Sequence, residues 1–228
     1  AGKAAASMAA AVEASWPAAS PLEGLVITRY GHGLPLGRIR VVEAGHPVPD
    51  EAGEKAAAEI LARAGALSPD DLLLVLVSGG GSSLMSLPVE GISMADLKAV
   101  TRDLLASGAP IQEMNTIRKH LSAIQGGRLA LATRARVLAL VISDVTGDDP
   151  THIASGPCSP DPTTYADAQD ILERYGVAAP PAIAAHLADG AAGRIPETPK
   201  AGDQGFNRVD TRVIATAHAS LMAAAAFV

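Results

Sequence analysis

LLLVLVSGGGSSLMSLP, residues 72–88, carries the fold in its first six positions and a candidate site in the next six. Leu72 to Val77 are consecutive aliphatics, the pattern of a strand covered on both faces inside a parallel sheet. Ser78, Gly79, Gly80, Gly81, Ser82 and Ser83 follow, offering unobstructed N–H groups and hydroxyls with no charge to repel an anion. At the carboxyl end of a parallel strand, such a loop is where α/β proteins bind phosphate. The same glycines would equally serve a tight strand-to-helix turn that holds no ligand. Neither common nucleotide fingerprint is present, because the third glycine of G-x-G-x-x-G is missing and no G-K-[S/T] follows. There is no G-x-S-x-G elbow either, so Ser78 is a poor candidate nucleophile.

Outward from this stretch, strand and helix alternate. Residues 3–15 read as a helix closed by Trp16-Pro17, residues 24–30 and 39–42 as strands, and residues 51–64 as a helix. Ser93 caps a helix with Asp96 three residues on, and Leu97, Val100, Leu104 and Leu105 keep helical spacing. Residues 109–132 read as mostly one helix, 137–143 as a second buried strand, and 165–175 as a helix after the irregular stretch 144–164. Pro180-Pro181 and residues 193–207 read as exposed connection, residues 212–216 as a last strand, and His218 leads into another helix. This alternation predicts an α/β fold: a Rossmann-like three-layer domain with a mostly parallel sheet and helices on both faces. AGKAAASMAAA at the start and TAHASLMAAAA near the end each read as the turn and helix that follow a strand. That likeness implies a strand ahead of Ala1, and a chain cut at both ends.

The 228 residues suit one large α/β domain, or one domain with part of another. Hydrophobic residues make up 48% but aromatics only 3%, so the core must pack through small and aliphatic side chains. A formal charge of −6 argues against a general nucleic-acid or anionic-membrane binder. No window of 18 apolar residues suggests a membrane span, and the alanine-rich start lacks the layout of a secretory signal. The lone Cys158 excludes an intrachain disulfide and a C-x-x-C metal site, which fits a reducing cytoplasm.

Three further groups carry chemistry. Lys3 follows Gly2 at a strand-to-helix junction, where a cation sits badly against the helix dipole unless an anion is bound there. Asn115, Arg118, Lys119 and Ser122 fall at i, i+3, i+4 and i+7, opposite a packed side of Ile111, Met114, Ile117, Leu121 and Ile124. Arg118 and Lys119 can grip a carboxylate or phosphate, or simply form a solvated face. Asp144 lies just past a buried strand, with Asp148 and Asp149 after Gly147. Carboxylates so placed suit magnesium or a substrate hydroxyl proton, and Asx-type turns equally. His152 is the only histidine near them, so a His-rich zinc site finds no support. His46, held between glycine and prolines, reads as structural more than as a ligand-facing group.

GKAAASMA (2–9), EAGHPVPD (43–50), VSGGGSSLM (77–85), NTIRKHLSAIQGGRLA (115–130) and SDVTGDDPTHIASGPCSPDPTT (143–164) together resemble the glycerate 2-kinase family. These are also called MOFRL or type-2 glycerate kinases, and some members are labelled putative hydroxypyruvate reductases. The resemblance runs in order along nearly the whole chain. It implies ATP-dependent phosphorylation of D-glycerate at the 2-hydroxyl, giving 2-phosphoglycerate and ADP with Mg2+ present. It marks residues 1–228 as the amino-terminal domain, truncated at its start. The smaller carboxyl-terminal domain that would supply another basic group is absent, so the fragment alone is expected to be inactive.

Carried onto this chain, the resemblance makes Lys3 the lysine that stabilises the transferring phosphoryl group. Ser78, Gly79, Gly80, Gly81, Ser82 and Ser83 become the anion loop, and Asn115, Arg118 and Lys119 orient carboxylate or phosphate. Asp144 and Asp148 activate the hydroxyl, and Asp148 and Asp149 hold metal. The partners implied are glycerate, ATP and the missing domain, with a homodimer left open. An NAD(P)H-dependent hydroxypyruvate reductase and a non-catalytic sugar-acid or nucleotide-binding module are the competing readings. The first of these requires a dinucleotide fingerprint with an acidic residue about 20 positions on.

Overall fold

The computed structural model describes residues 1–227. Strands β1 (Gly24–Arg29), β2 (Ile39–Ala44), β3 (Leu72–Val77), β4 (Arg136–Ile142) and β5 (Val209–Ala215) pair only in parallel. They form two ladders, β1-β2 and β3-β4-β5. Ala1 and Gly2 lie between the ladders: the Ala1 amino group donates to the Leu76 carbonyl of β3, and the Gly2 N–H to the Ile27 carbonyl of β1.

Alternation along the strands explains why both faces are covered. Val26, Leu74, Leu76 and Leu140 meet helix α1 (Ala5–Ser15) through Ala5, Met8 and Ala9. Their neighbours Ile27, Val75, Val77, Ala139 and Val141 belong to the opposite core, with Ala56, Ala57 and Ala64 of helix α2 (Glu51–Ala66). Small side chains let both helices approach closely, as the aromatic-poor composition requires. Helix α2 starts where Asp50 accepts the Gly53 N–H at 3.0 Å. The three-layer α/β expectation holds for this part of the molecule.

Helices α3 (Gly81–Leu84), α4 (Met94–Ser107), α5 (Ile111–His120), α6 (Arg128–Leu131), α7 (Tyr165–Arg174), α8 (Pro181–Ala191) and α9 (Ala217–Phe227) complete the chain. Four of them, α4, α5, α7 and α8, do more than cover a sheet. They build a core of their own around Val100, Leu104, Ile117, Tyr165, Ile183 and Leu187. Ser93 and Asp96 form a reciprocal capping box at α4, and Thr164 and Asp167 do the same at α7.

Three local readings change. The single helix expected over 109–132 ends at His120, because the Ser122 hydroxyl accepts the N–H groups of Ile124 and Gln125, and Gly126 and Gly127 take φ of 59° and 83°. Pro180-Pro181 is not loop: Pro181 opens α8, where a missing N–H costs nothing, and Ile183 and Leu187 are buried one turn apart. Ile111, expected on the packed side of its helix, is exposed, as is Leu105, which keeps helical spacing with Leu97, Val100 and Leu104.

Candidate active site

The triglycine turn sits where β3 ends, and its glycines are required by what crowds them. A Cβ on Gly79 would collide with the Asp144 carboxylate. One on Gly80, where φ is 85°, would lie 2.7 Å from His46 Nε2 and 3.3 Å from Lys3 Cγ. One on Gly81 would lie 2.5 Å from the Ala154 side chain. Lys3, His46, Asp144 and Ala154, from four separate stretches of chain, therefore converge on one turn. Lys3 is tied there by its N–H to the Gly79 carbonyl at 2.9 Å, and its ammonium lies 3.6 Å from Asp144 Oδ2. Both side chains are nearly half exposed, at 44% and 49%.

A polar chain leads away from the turn. The Ser82 and Ser155 hydroxyls are 2.9 Å apart, and Ser155 donates to Asn115 Oδ1 at 3.3 Å. The same oxygen accepts from the Arg118 guanidinium at 3.2 Å, and the Asn115 amide nitrogen donates to the His152 carbonyl at 3.4 Å. Asn115 is buried, so this geometry orients Arg118. Arg118 is half-buried, and burial alone lowers its pKa; no carboxylate pairs with it among the described residues. A guanidinium so placed lacks a counter-charge.

The loop after β4 closes the site and is strained. Asp148, Ala154 and Ser155 have φ of 53°, 51° and 57°, a region that costs roughly 1–3 kcal/mol per non-glycine residue and recurs at functional sites. Asp149 Oδ1 accepts the Thr151 N–H at 2.9 Å, an Asx turn. Burial would raise the Asp149 pKa, but its bonds to Thr151 outweigh that and hold it below the ordinary value. Among the described residues, no three of His, Cys, Asp and Glu gather as a metal cage. Burial and the neighbouring Lys3 and Arg29 cations lower the pKa of His46, against a smaller opposing pull from Asp144.

Lys3, Gly79, Gly80, Gly81, Ser82, Asn115, Arg118 and Asp144 are thus brought together, and Ser83 stays in the turn with its hydroxyl on the Gly80 carbonyl. Asp148 and Asp149 lie on the adjoining loop. Two of the expected residues are placed otherwise. Ser78 is buried and accepts the Ala4 N–H at 3.0 Å, so its hydroxyl caps α1. Lys119 is buried with Asp161 at 2.5 Å, because α5 packs into the helical core on nearly every side instead of leaving a polar face in water. Ser122, expected on that face, is in the turn beyond the helix. His46, Ala154 and Ser155 join the site without having been assigned to it. The signal for all three was their place in two of the five conspicuous motifs, residues 43–50 for His46 and 143–164 for Ala154 and Ser155.

A family model described as a domain of unknown function, DUF4147, matches residues 1–188. The chain belongs to that family. The DUF4147 chain is 53% identical over 227 residues to a protein of Agrobacterium vitis named putative hydroxypyruvate reductase, covering 99% of this chain and 50% of that one. It is 47% identical over 204 residues to the glycerate 2-kinase of Pyrococcus horikoshii, covering 87% and 45%. A crystal structure of glycerate kinase from Thermotoga maritima superposes with a TM-score of 0.82 at 42% identity, over 94% of this chain and 49% of that one. The chain spans about half the length of the curated relatives it matches.

Proposed function

We propose that this DUF4147 chain is the phosphate- and substrate-handling half of a glycerate 2-kinase, which transfers the terminal phosphoryl group of ATP to the 2-hydroxyl of D-glycerate. The observation that carries this reading is a glycine turn that holds Lys3 beside Asp144 and connects through Ser82, Ser155 and Asn115 to Arg118, a cation with no carboxylate partner among the described residues. Phosphoryl transfer needs positioning and charge stabilisation more than covalent chemistry. Relatives named as glycerate kinases at 42–47% identity give the substrate class.

In this reading Arg118, held by Asn115, takes a carboxylate or phosphate, and Lys3 neutralises charge on the transferring group. Asp144 accepts the proton of the 2-hydroxyl as its oxygen bonds to phosphorus and the bond to ADP breaks. The Ser82 and Ser83 hydroxyls and the turn N–H groups supply further donors. Magnesium suits Asp144 or Asp148, because that ion takes one or two carboxylates and fills its shell from phosphate oxygens and water. Asp149 is the weaker candidate, with one oxygen already on Thr151. The rest of the relatives' length corresponds to a second domain that closes the cleft and adds basic charge. In that scheme the 228 residues alone are inactive.

The deciding experiment uses the longer protein that contains this chain. ADP release that requires both D-glycerate and magnesium, with 2-phosphoglycerate separated from 3-phosphoglycerate, supports the kinase. NADH oxidation by hydroxypyruvate without ATP overturns it in favour of the reductase that the Agrobacterium relatives are named for.

A further inference from the structure

Arg118 uses one edge of its guanidinium and leaves the other free. Nη1 donates to Asn115 Oδ1 at 3.2 Å, whereas Nε and Nη2 have no partner among the described residues and are not sealed from solvent. The used edge is well defined. Asn115 is buried, its amide nitrogen donates to the His152 carbonyl at 3.4 Å, and its Oδ1 also accepts from Ser155 at 3.3 Å. Those bonds fix which end of the amide meets Arg118. The free edge then presents two parallel N–H groups, the fork that fits a planar carboxylate. A nucleotide's phosphate tail makes a different demand, because it carries several charges and is held by clustered cations, metal and loop N–H groups. No second cation on this side is free to help: Lys119 is sealed with Asp161, and Arg128 donates to the Lys119 carbonyl and the Tyr165 hydroxyl. Lys3 and the triglycine turn suit the tail better. Arg118 stands off from that turn, but no farther from Ser82 than three hydrogen bonds end to end, through Asn115 and Ser155.

We propose that Arg118 is the residue that selects an acid over a neutral substrate. Its free edge seats the carboxylate of a small 2-hydroxy acid, Asn115 is the residue that positions it, and the nucleotide's phosphates stay with Lys3 and the turn. One guanidinium matches one carboxylate in charge and in shape, so neither group is left uncompensated in the half-buried site. An uncharged analogue of the same size would leave Arg118 without its counter-charge and would bind less tightly for that reason. This rests on the reading above for the hydroxy acid, but not for phosphoryl transfer, since hydroxypyruvate carries the same carboxylate.

Calorimetric titration of the longer protein with D-glycerate, with its uncharged amide, and with ADP and magnesium tests this. The unaltered protein should bind the acid on the order of 10–100-fold more tightly than the amide, the usual worth of a hydrogen bond to a charged group. Arg118→Gln should weaken the acid to the level of the amide and leave ADP affinity unchanged. Asn115→Asp reads the same preference without removing the arginine. It keeps the shape of the buried side chain and puts a carboxylate on the guanidinium, so acid affinity should fall while the amide and ADP bind as before. A merely structural role for Asn115 would instead weaken all three ligands together and overturn its assignment. Equal binding of acid and amide by the unaltered protein would overturn the proposal outright. So would an Arg118→Gln protein that loses ADP and keeps the acid preference, which would assign the arginine to a nucleotide phosphate. Failure of the kinase reading looks different: no glycerate-dependent ADP release, with the acid preference present in the unaltered protein and lost in Arg118→Gln, leaves the carboxylate seat standing.

Discussion

Two lysine–aspartate pairs in this molecule have the same chemistry and opposite settings. Lys3 and Asp144 are 3.6 Å apart with both side chains nearly half in water; Lys119 and Asp161 are 2.5 Å apart and sealed from it. Water keeps the first pair loose, so its attraction is worth about 0–1 kcal/mol, and either partner can turn to a ligand. The second pair has lost its hydration and needs replacement bonds. Asp161 obtains them from the Lys119 ammonium, the Thr163 hydroxyl and the Thr163 N–H. Burial alone would raise the Asp161 pKa, yet these partners hold it below the ordinary carboxylate value. Burial, not residue type, separates the lysine free to meet a ligand from the lysine that clamps α5 to the loop before α7.

The sharpest way to break this contrast is to remove one member of the sealed pair. Lys119→Met leaves an unpartnered carboxylate in the core and should cost about 3–5 kcal/mol in urea denaturation. Adding Asp161→Leu should recover most of that loss, since an apolar pair replaces a buried ionic one at little net cost. Acid reads the same pair. The folded pKa of Asp161 is depressed, so its contribution is complete above the unfolded value near ~3.9 and disappears as pH falls through the lower folded value. The double variant should therefore lose less stability than the wild-type chain between about pH 4 and pH 2. Identical acid limbs would mean that Asp161 is not the titrating group.

Lys3→Ala tests the other side. In the longer protein, turnover should fall on the order of 10²–10³-fold, the usual consequence of losing a group that stabilises charge in the transition state. Stability should change by less than about 0.5 kcal/mol, because an exposed pair contributes little. A large loss of stability with turnover retained would reverse the roles assigned to the two lysines.

The limits of reading this chain as text follow from the same contrast. The strands and the glycine turn were legible because aliphatic runs and glycines act locally: β3 and α2 begin where expected, and the three-layer scheme holds around them. Asp144 was legible because it adjoins the end of β4, and Lys3 because a cation at a helix start is poorly placed unless an anion is bound there. Lys119 was not. Helical spacing places it beside Asn115 and Arg118, but only the packing of α7 and α8 on α5 decides that this face is closed, and those contacts are distant in sequence. α8 itself was missed because Pro180-Pro181 reads as a breaker until the second proline is placed at the first helical position. The strain at Ala154 and Ser155 has no sequence signature, since neither residue favours positive φ.

Gly79→Ala sharpens the comparison at a smaller scale. The added methyl has no room beside the Asp144 carboxylate, so either the turn or the aspartate must move. Overpacking of this kind costs about 1–3 kcal/mol. Because Asp144 is at the surface, most of the adjustment should be its displacement, so turnover should fall more than stability. Gly91→Ala is the control: that glycine also has positive φ, but open space around it, so it should show backbone strain with turnover unchanged.

The smallest expected effect is also the strictest check on the exposed pair. Asp144→Asn removes the charge and keeps the shape, so any stability it loses is the electrostatic worth of Lys3–Asp144. That should be below about 0.5 kcal/mol at low salt, and most of it should vanish near 0.5 M salt, where screening acts over only about 4–5 Å. The same change at Asp161 should cost several times more and respond little to salt, because ions do not reach a pair with no exposed surface. A salt-insensitive loss of about 2 kcal/mol or more at Asp144 would make that pair a structural clamp as well. Lys3 would then hold the triglycine turn in place, and the charge required at the site would have to come from Arg118 alone.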